Sequence, residues 1–294
     1  MSKFVLCAVF LLAAFSLGSY AYCGVYRHLP VHFSLSTFDL LFLLILVLCV
    51  LLVLLAWAFQ KIYFLGLNGR TRLALQLSRG FFWLPKIRHM LEAMILFHAG
   101  RYGEAREKIR REAFDEAGNP RLKSRQIYVH ALCCCNEGNE AEAERYLEMA
   151  ITANPENMAL KSVCTTALVV VLLMENKDLP RACALMEQEV GNRLIPLRPE
   201  DKARRYAVLA WALASSSRRK ETEQAIAQAL ALSAKCSATE RAGVLYTVGE
   251  AWHALGEDQL ARKAFAESLQ LRTDGVTALS TRNALARMDA CLSV

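Results

Sequence analysis

The sequence lacks the motifs that usually announce catalysis. It has no Gly-x-Gly-x-x-Gly, no Walker-type phosphate loop, no Gly-x-Ser-x-Gly and no His-Glu-x-x-His. The corresponding nucleotide-binding, hydrolase and zinc-peptidase readings have no residues to stand on. There are ten cysteines but no Cys-x-x-Cys, so neither a zinc ribbon nor a redox pair can be assembled by spacing. Only 14 glycines and 7 prolines occur in 294 residues, which excludes collagen-like and Pro/Gly-rich classes. A hydrophobic content of 54% excludes disorder. The excess over an ordinary soluble domain must lie in a membrane segment or an unusually large core.

Acidic residues are also missing from one stretch, and this explains the pI near 8.9. Residues 61–90 carry Lys61, Arg70, Arg72, Arg79, Lys86 and Arg88 with no Asp or Glu. Residues 91–294 balance their charges. A nucleic-acid face would spread basic side chains over the folded domain, so nucleic acid is not an expected partner. The basic stretch instead follows an uncharged apolar run, Leu40–Phe59, of about 30 Å at 1.5 Å per residue. That run predicts a transmembrane helix over about 40–59, with Trp57, Tyr63 and Phe64 at its far end. A second apolar run begins after Lys3. It reads as an uncleaved helix over about 4–22, and the Ser19-Tyr20-Ala21 triplet keeps a cleaved signal peptide open. His28 and His32, on either side of Pro30, read as residues of the connecting loop.

The six cations become membrane-surface residues on this reading. The positive-inside rule then places the C-terminal domain in the cytoplasm. The expected organisation is a transmembrane hairpin over 1–60, a basic juxtamembrane linker over 61–85 and a repeat domain over 86–294.

Beyond residue 85 the chain is self-similar. A small or apolar first-helix position recurs at Ala93, Ala131, Val170, Ala210 and Gly249, at intervals of 38, 39, 40 and 39. A second marker at Ala105, Ala143, Ala182, Thr222 and Ala261 repeats the same intervals. Small residues at both positions let two helices approach closely, and Gly100, Gly138 and Gly256 fall where a left-handed turn would join them. The prediction is an all-α fold: five stacked helical hairpins and a capping helix over about 277–292. Ala131, Gly138, Ala143, Ala150 and Pro155, and later Gly249, Gly256, Ala261 and Phe265, resemble the tetratricopeptide repeat.

The layout resembles the HemY family of bacterial inner-membrane proteins. The matching residues are Gly24-Val25-Tyr26, Phe33–Phe38, Trp57, Arg70-Thr71-Arg72, and Ala93, Leu96, Gly100-Arg101-Tyr102 and Glu104-Ala105. Members of that family are longer, which implies fewer C-terminal hairpins here. The resemblance implies an inner-membrane, multi-pass location and an association with late haem (porphyrin) biosynthesis. The partners would then be porphyrin-pathway enzymes.

No catalytic, cofactor or metal residue is predicted. The scattered His and Cys side chains read mainly as small core residues. The expected activity is binding of other proteins by the inner wall of the repeat array. Carrying the register across the repeats, that wall takes Met90, Met94, Phe97, Arg125, Tyr128, Asn136, Met174, Glu175, Arg204, Trp211, Tyr246, Glu250 and His253. Each of these either lines the groove or packs between repeats. Its mixed charge speaks against a dedicated clamp for an acidic tail. Two alternatives use the same repeats: a tetrapyrrole carrier or enzyme subunit using His98, His130 or His253 with haem or porphyrin, and an envelope assembly factor.

Overall fold

The computed structural model describes residues 37–67, 70–81, 85–110, 120–192 and 198–292. The expected first apolar helix over 4–22 and its loop lie outside the described residues. The chain divides into two compact units, Met1–Lys61 and Ile62–Val294.

The first unit holds most of helix α1, Thr37–Leu67. Its described side chains include exposed Leu44, Leu48, Leu51, Leu52, Leu54 and Trp57. Lys61 Nζ lies 5.7 Å from the centre of the Trp57 ring. Side chains 37–43, 46, 64 and 67 lie outside the described set. Among the described residues, no helix presents a stretch long and apolar enough to cross a membrane.

The second unit is all helical among the described residues. After α1 come α2 (Thr71–Ser78), a 3-10 turn (Arg79–Phe81), α3 (Pro85–His98) and α4 (Tyr102–Arg110). Then follow α5 (Pro120–Asn136), α6 (Glu140–Ala153), α7 (Met158–Met174) and α8 (Leu179–Gly191). The last are α9 (Pro199–Ser215), α10 (Arg219–Ser233), α11 (Ala238–Ala254), α12 (Asp258–Leu271) and α13 (Gly275–Leu292). Residues 61–85, expected as a linker, therefore carry the end of α1 and the whole of α2. Ser78 is buried there and donates to Glu92 of α3 at 3.1 Å, so this stretch belongs to the repeat body.

Helices α3 to α12 form five hairpins, and one local device builds each turn. A backbone N–H reaches back five residues: Arg101 to Leu96 O, Asn139 to Cys134 O, Lys177 to Leu172 O, Arg218 to Leu213 O and Glu257 to Trp252 O, all at 2.9–3.0 Å. The bond requires one left-handed residue just past the first helix. Gly100, Gly138 and Gly256 supply it at φ 77–78°, and Asn176 (51°) and Ser217 (60°) supply it in the third and fourth hairpins. Three helix starts are fixed by side-chain caps. Asn157 accepts from Leu160 N, Asp178 accepts from Arg181 N, and Ser237 and Glu240 form a reciprocal capping box.

Close helix crossing accounts for the small residues. Ala93, Ala105, Ala131, Ala143, Ala182, Ala210, Thr222 and Ala261 have no exposed surface. At Gly249 a Cβ would stand 2.4 Å from the ring of fully buried Phe265, so only glycine fits. The third hairpin departs from the predicted register by one residue. Fully buried Val169 takes the crossing position, and Val170 is half-buried and faces the concave side. The cause lies in the turn, where a second left-handed residue, Asp178, follows Asn176 and adds one residue before α8.

The main core runs through hairpins two to five, with Leu147, Leu172, Met186, Val208 and Val248 buried in it. Smaller cores lie under α3–α5 and between α12 and α13. Helix α13 covers the last hairpin through Ala284 and Met288. It also reaches α3 at the opposite end of the array, where a Cβ at Gly275 would meet the His98 carbonyl at 3.2 Å. The array thus curves until its cap meets its first hairpin.

Candidate functional site

That curvature encloses a cavity of about 790 Å³. First helices and the cap line it: α3, α5, α7, α9, α11 and α13. Among the second helices only the first residue of α6, Glu140, reaches the lining, because each second helix packs behind its own first helix. The wall is apolar on α7, where Ala159, Val163, Ala167, Val170 and Met174 follow one another at helical spacing. Aromatic rings close the ends, with Phe97 from α3, Tyr128 from α5 and Tyr246 from α11.

Four arginines enter this lining, and three are already engaged. Arg198 pairs with Glu200 at 2.9 Å and Asp201 at 3.0 Å. Arg205 is buried against Glu189. Arg287 of the cap donates to buried Glu250 at 2.8 Å. Arg204 makes no ion pair among the described residues and is exposed to the cavity. Its positive charge acts to lower the pKa of Tyr128, Tyr63 and His98. Burial pushes the Tyr128 hydroxyl up to about 12, with Arg204 opposing, and burial raises Tyr246 as well. Both phenols stay neutral and can donate hydrogen bonds to a ligand.

Six of the thirteen predicted groove residues line the cavity: Phe97, Tyr128, Asn136, Met174, Arg204 and Tyr246. The other seven do not. Met90 and Trp211 are buried in the core, and Met94 packs against the core of the first hairpin. Arg125 is exposed outside the lining, and Glu175 sits at the α7 turn, 3.8 Å from Lys177. Glu250 lies just behind the wall, holding Arg287. His253 turns away to Asp258 at 2.8 Å. Ser280, Asn283 and Arg287 could not be assigned from the register, because only the curvature brings α13 to the wall.

Of the predicted membrane-surface residues, Lys61, Arg70, Arg72 and Arg79 are exposed. Arg88 is not free: it pairs with buried Glu92 at 3.6 Å and hydrogen-bonds to His89 at 2.9 Å. Lys86 lies outside the described side chains.

The histidines do not converge on the cavity. His98 is half-buried where the array meets its cap, with its Nε2 2.8 Å from the Tyr63 hydroxyl. Burial lowers its pKa from 6.5 to about 4, and Arg272 and Arg204 push the same way. The unfolded chain therefore binds this proton more tightly than the folded one. His98 favours the folded state fully above pH 6.5 and progressively less as the pH falls towards 4. Replacing His98 by Gln is expected to flatten the dependence of Tm on pH across that window. An unchanged slope would show that other groups set it.

His130, Cys134 and Glu142 bring ligand-type atoms within 4.8 Å of one another. His130 and Cys134 lie four residues apart on α5, so they share a face. A cation already serves this cluster, however. Arg106 stands 3.9 Å from Glu142 and 2.9 Å from Glu137, and the Cys134 thiol donates to Glu142 at 3.7 Å. His130 packs edge-on against Tyr146 at 4.5 Å. The cluster reads as an interlock between hairpins one and two. Burial raises the thiols of Cys133 and Cys164 to about 12 and that of Cys135 to about 11, which makes them poor nucleophiles.

No family profile matches the chain, and no curated relative does. Solved structures do match. The quorum sensor NprR with its cognate peptide NprX aligns with a TM-score of 0.54 at 13% identity, over 81% of this chain and 73% of that one. Bacillus thuringiensis PlcR with the peptide PapR7 and DNA aligns with a TM-score of 0.53 at 15% identity, over 69% and 73%. The TPR-like repeats of a putative kinesin light chain from Podosopora anserina align with a TM-score of 0.46 at 19% identity, over 64% and 95%. What this chain shares with NprR and PlcR is the fold, an array of stacked helical hairpins.

Proposed function

We propose that this protein is a non-enzymatic scaffold that holds a polypeptide segment in the cavity of its repeat array. One observation carries the reading: the concave wall joins an apolar strip on α7 to three aromatic rings and to Arg204, a guanidinium with no ion-pair partner among the described residues. Aromatic and Arg side chains are the types that dominate binding energy at interfaces. A cavity of about 790 Å³ suits a short extended segment rather than a folded domain. NprR and PlcR, which share the fold, are each named with a bound peptide, and this agrees with the reading.

The second part of the proposal is the anchor. The uncharged run 40–59 lies within a continuous helix on which Leu44, Leu48, Leu51, Leu52 and Leu54 are exposed, an arrangement costly in water and suited to lipid. The basic excess that follows supports a cytoplasmic repeat domain at a bacterial inner membrane. Anchoring confines partners to a thin layer and raises their effective concentration. The link to porphyrin-pathway enzymes rests on the resemblance to the HemY family alone. The tetrapyrrole alternative draws no support from His98, His130 or His253, since none lines the cavity.

Selection of a displayed library of short peptides against the full chain in detergent tests the proposal. Enriched peptides that compete with one another and leave a Val170→Trp variant unbound are the expected result. Peptides whose binding survives that filling would remove it. Titration with haem separates the alternative, for which a Soret shift abolished by a histidine substitution is the required result.

A further inference from the structure

Helix α2 has two faces of opposite character. Ala74 and Ser78 have no exposed surface, and Ser78 donates to Leu75 O at 2.7 Å and to Glu92 Oε1 at 3.1 Å. These contacts, with buried Phe81 just beyond, fix which side of α2 rests on α3. On the outward side stand Leu73 and Leu77, 42% and 44% exposed. They are four residues apart and so lie one turn above the other. Arg70, Arg72 and Arg79 are exposed around them. The sequence has no acidic residue between Asp39 and Glu92. Glu92 itself is buried and held by Ser78, Arg88 and Lys108, at 3.1, 3.6 and 3.1 Å respectively. Among the described residues, none of these three guanidinium groups has an ion-pair partner.

Two exposed leucines on a locked helix are unfavourable in water. Exposed arginines around them discourage a second copy of the same face, since like charges would meet. The combination suits an anionic lipid surface, where leucines enter the acyl boundary and arginines meet headgroups. We propose that α2 lies in the plane of an anionic bilayer, with Leu73 and Leu77 inserted, and thereby holds the first hairpin against the membrane. The inference rests on the anchored reading above and deepens it. A flexible linker would let the array tumble, whereas α2 is pinned to α3 and makes the seating rigid.

The test uses the full chain reconstituted into vesicles of phosphatidylglycerol and phosphatidylethanolamine. An environment-sensitive fluorescent amino acid is introduced by stop-codon suppression at Leu73, Gln76, Leu77 or, as a distant control, exposed Lys220. At Leu73 and Leu77 we expect blue-shifted emission, quenching by lipids bearing a shallow acyl-chain nitroxide, and protection from aqueous iodide. At Gln76 iodide should reach the label more readily, and at Lys220 fully. Replacing Arg70, Arg72 and Arg79 together with Gln should shift the label back towards water, by about fivefold per arginine in the docking equilibrium. Equal iodide access at Leu77 and Lys220, in a chain that still floats with the vesicles, would overturn the seating of α2 and leave the anchor standing. A chain that fails to float would remove both. Equal lipid quenching at positions 73, 76 and 77 would show mere proximity to the bilayer, without an inserted face, and would also overturn it.

Discussion

Replacing Arg205 with Met lowers the stability of the repeat array by about 3–5 kcal/mol, the cost of stranding a buried charge. Arg205 and Glu189 are both buried, and Arg205 Nη1 lies 3.5 Å from the Glu189 carboxylate. The same nitrogen donates to the Glu189 carbonyl at 3.1 Å. Ser162 donates to that carboxylate from α7. Three helices, α7, α8 and α9, therefore meet at one charged centre joining the third hairpin to the fourth. Burial lowers the pKa of Arg205 while Glu189 raises it, and burial prevails. With the guanidinium gone, Glu189 keeps only Ser162 and must take up a proton or draw in water. Chemical denaturation of the full chain in detergent measures the loss. The double variant Arg205→Met, Glu189→Met should recover most of it, since an apolar pair of similar volume avoids the desolvation cost. A loss below about 1 kcal/mol in the single variant would show that the centre is hydrated rather than dry.

Replacing Arg204 with Glu weakens capture of a bound peptide by about 10- to 100-fold, the range of a charge-assisted hydrogen bond of roughly 1.5–3 kcal/mol. Arg204 is exposed and outside the core, so the fold should tolerate the change, and an unaltered Tm serves as the control. Arg198 provides the contrast. It lines the same cavity but is held by Glu200 and Asp201, so Arg198→Gln should cost much less affinity. The measurement is fluorescence anisotropy with a peptide selected against the unmodified chain. Equal losses at the two positions would mean that general positive potential, rather than one directed guanidinium, attracts the ligand.

The hairpins were legible in the sequence because their chemistry is local. A small residue at each crossing and a left-handed residue at each turn leave marks at fixed intervals. The one slip came where Asn176 and Asp178 do without glycine and lengthen the turn. With Val170 taken as a crossing residue, the apolar strip on α7 is not apparent in the sequence. The cavity was legible only in part, because curvature is a sum of small rotations over five hairpins. Phe97, Tyr128 and Tyr246 fell on the correct face, but no periodicity reports that α13 returns to α3 or that Arg287 enters the site. The stretch after residue 61 read as a linker because basic residues dominate it. Only Ser78, Glu92 and the buried side of α2 tie it to the array.

The most direct test of the account is photo-cross-linking of the full chain in its native membrane. A benzophenone amino acid is placed at Tyr128 or Tyr246 on the cavity wall, or at exposed Lys263 outside it. The account predicts a discrete protein adduct from both cavity positions, none from Lys263, and loss of the adducts when Arg204→Glu is added. Adducts of equal yield from all three positions, or adducts from Lys263 alone, would contradict it.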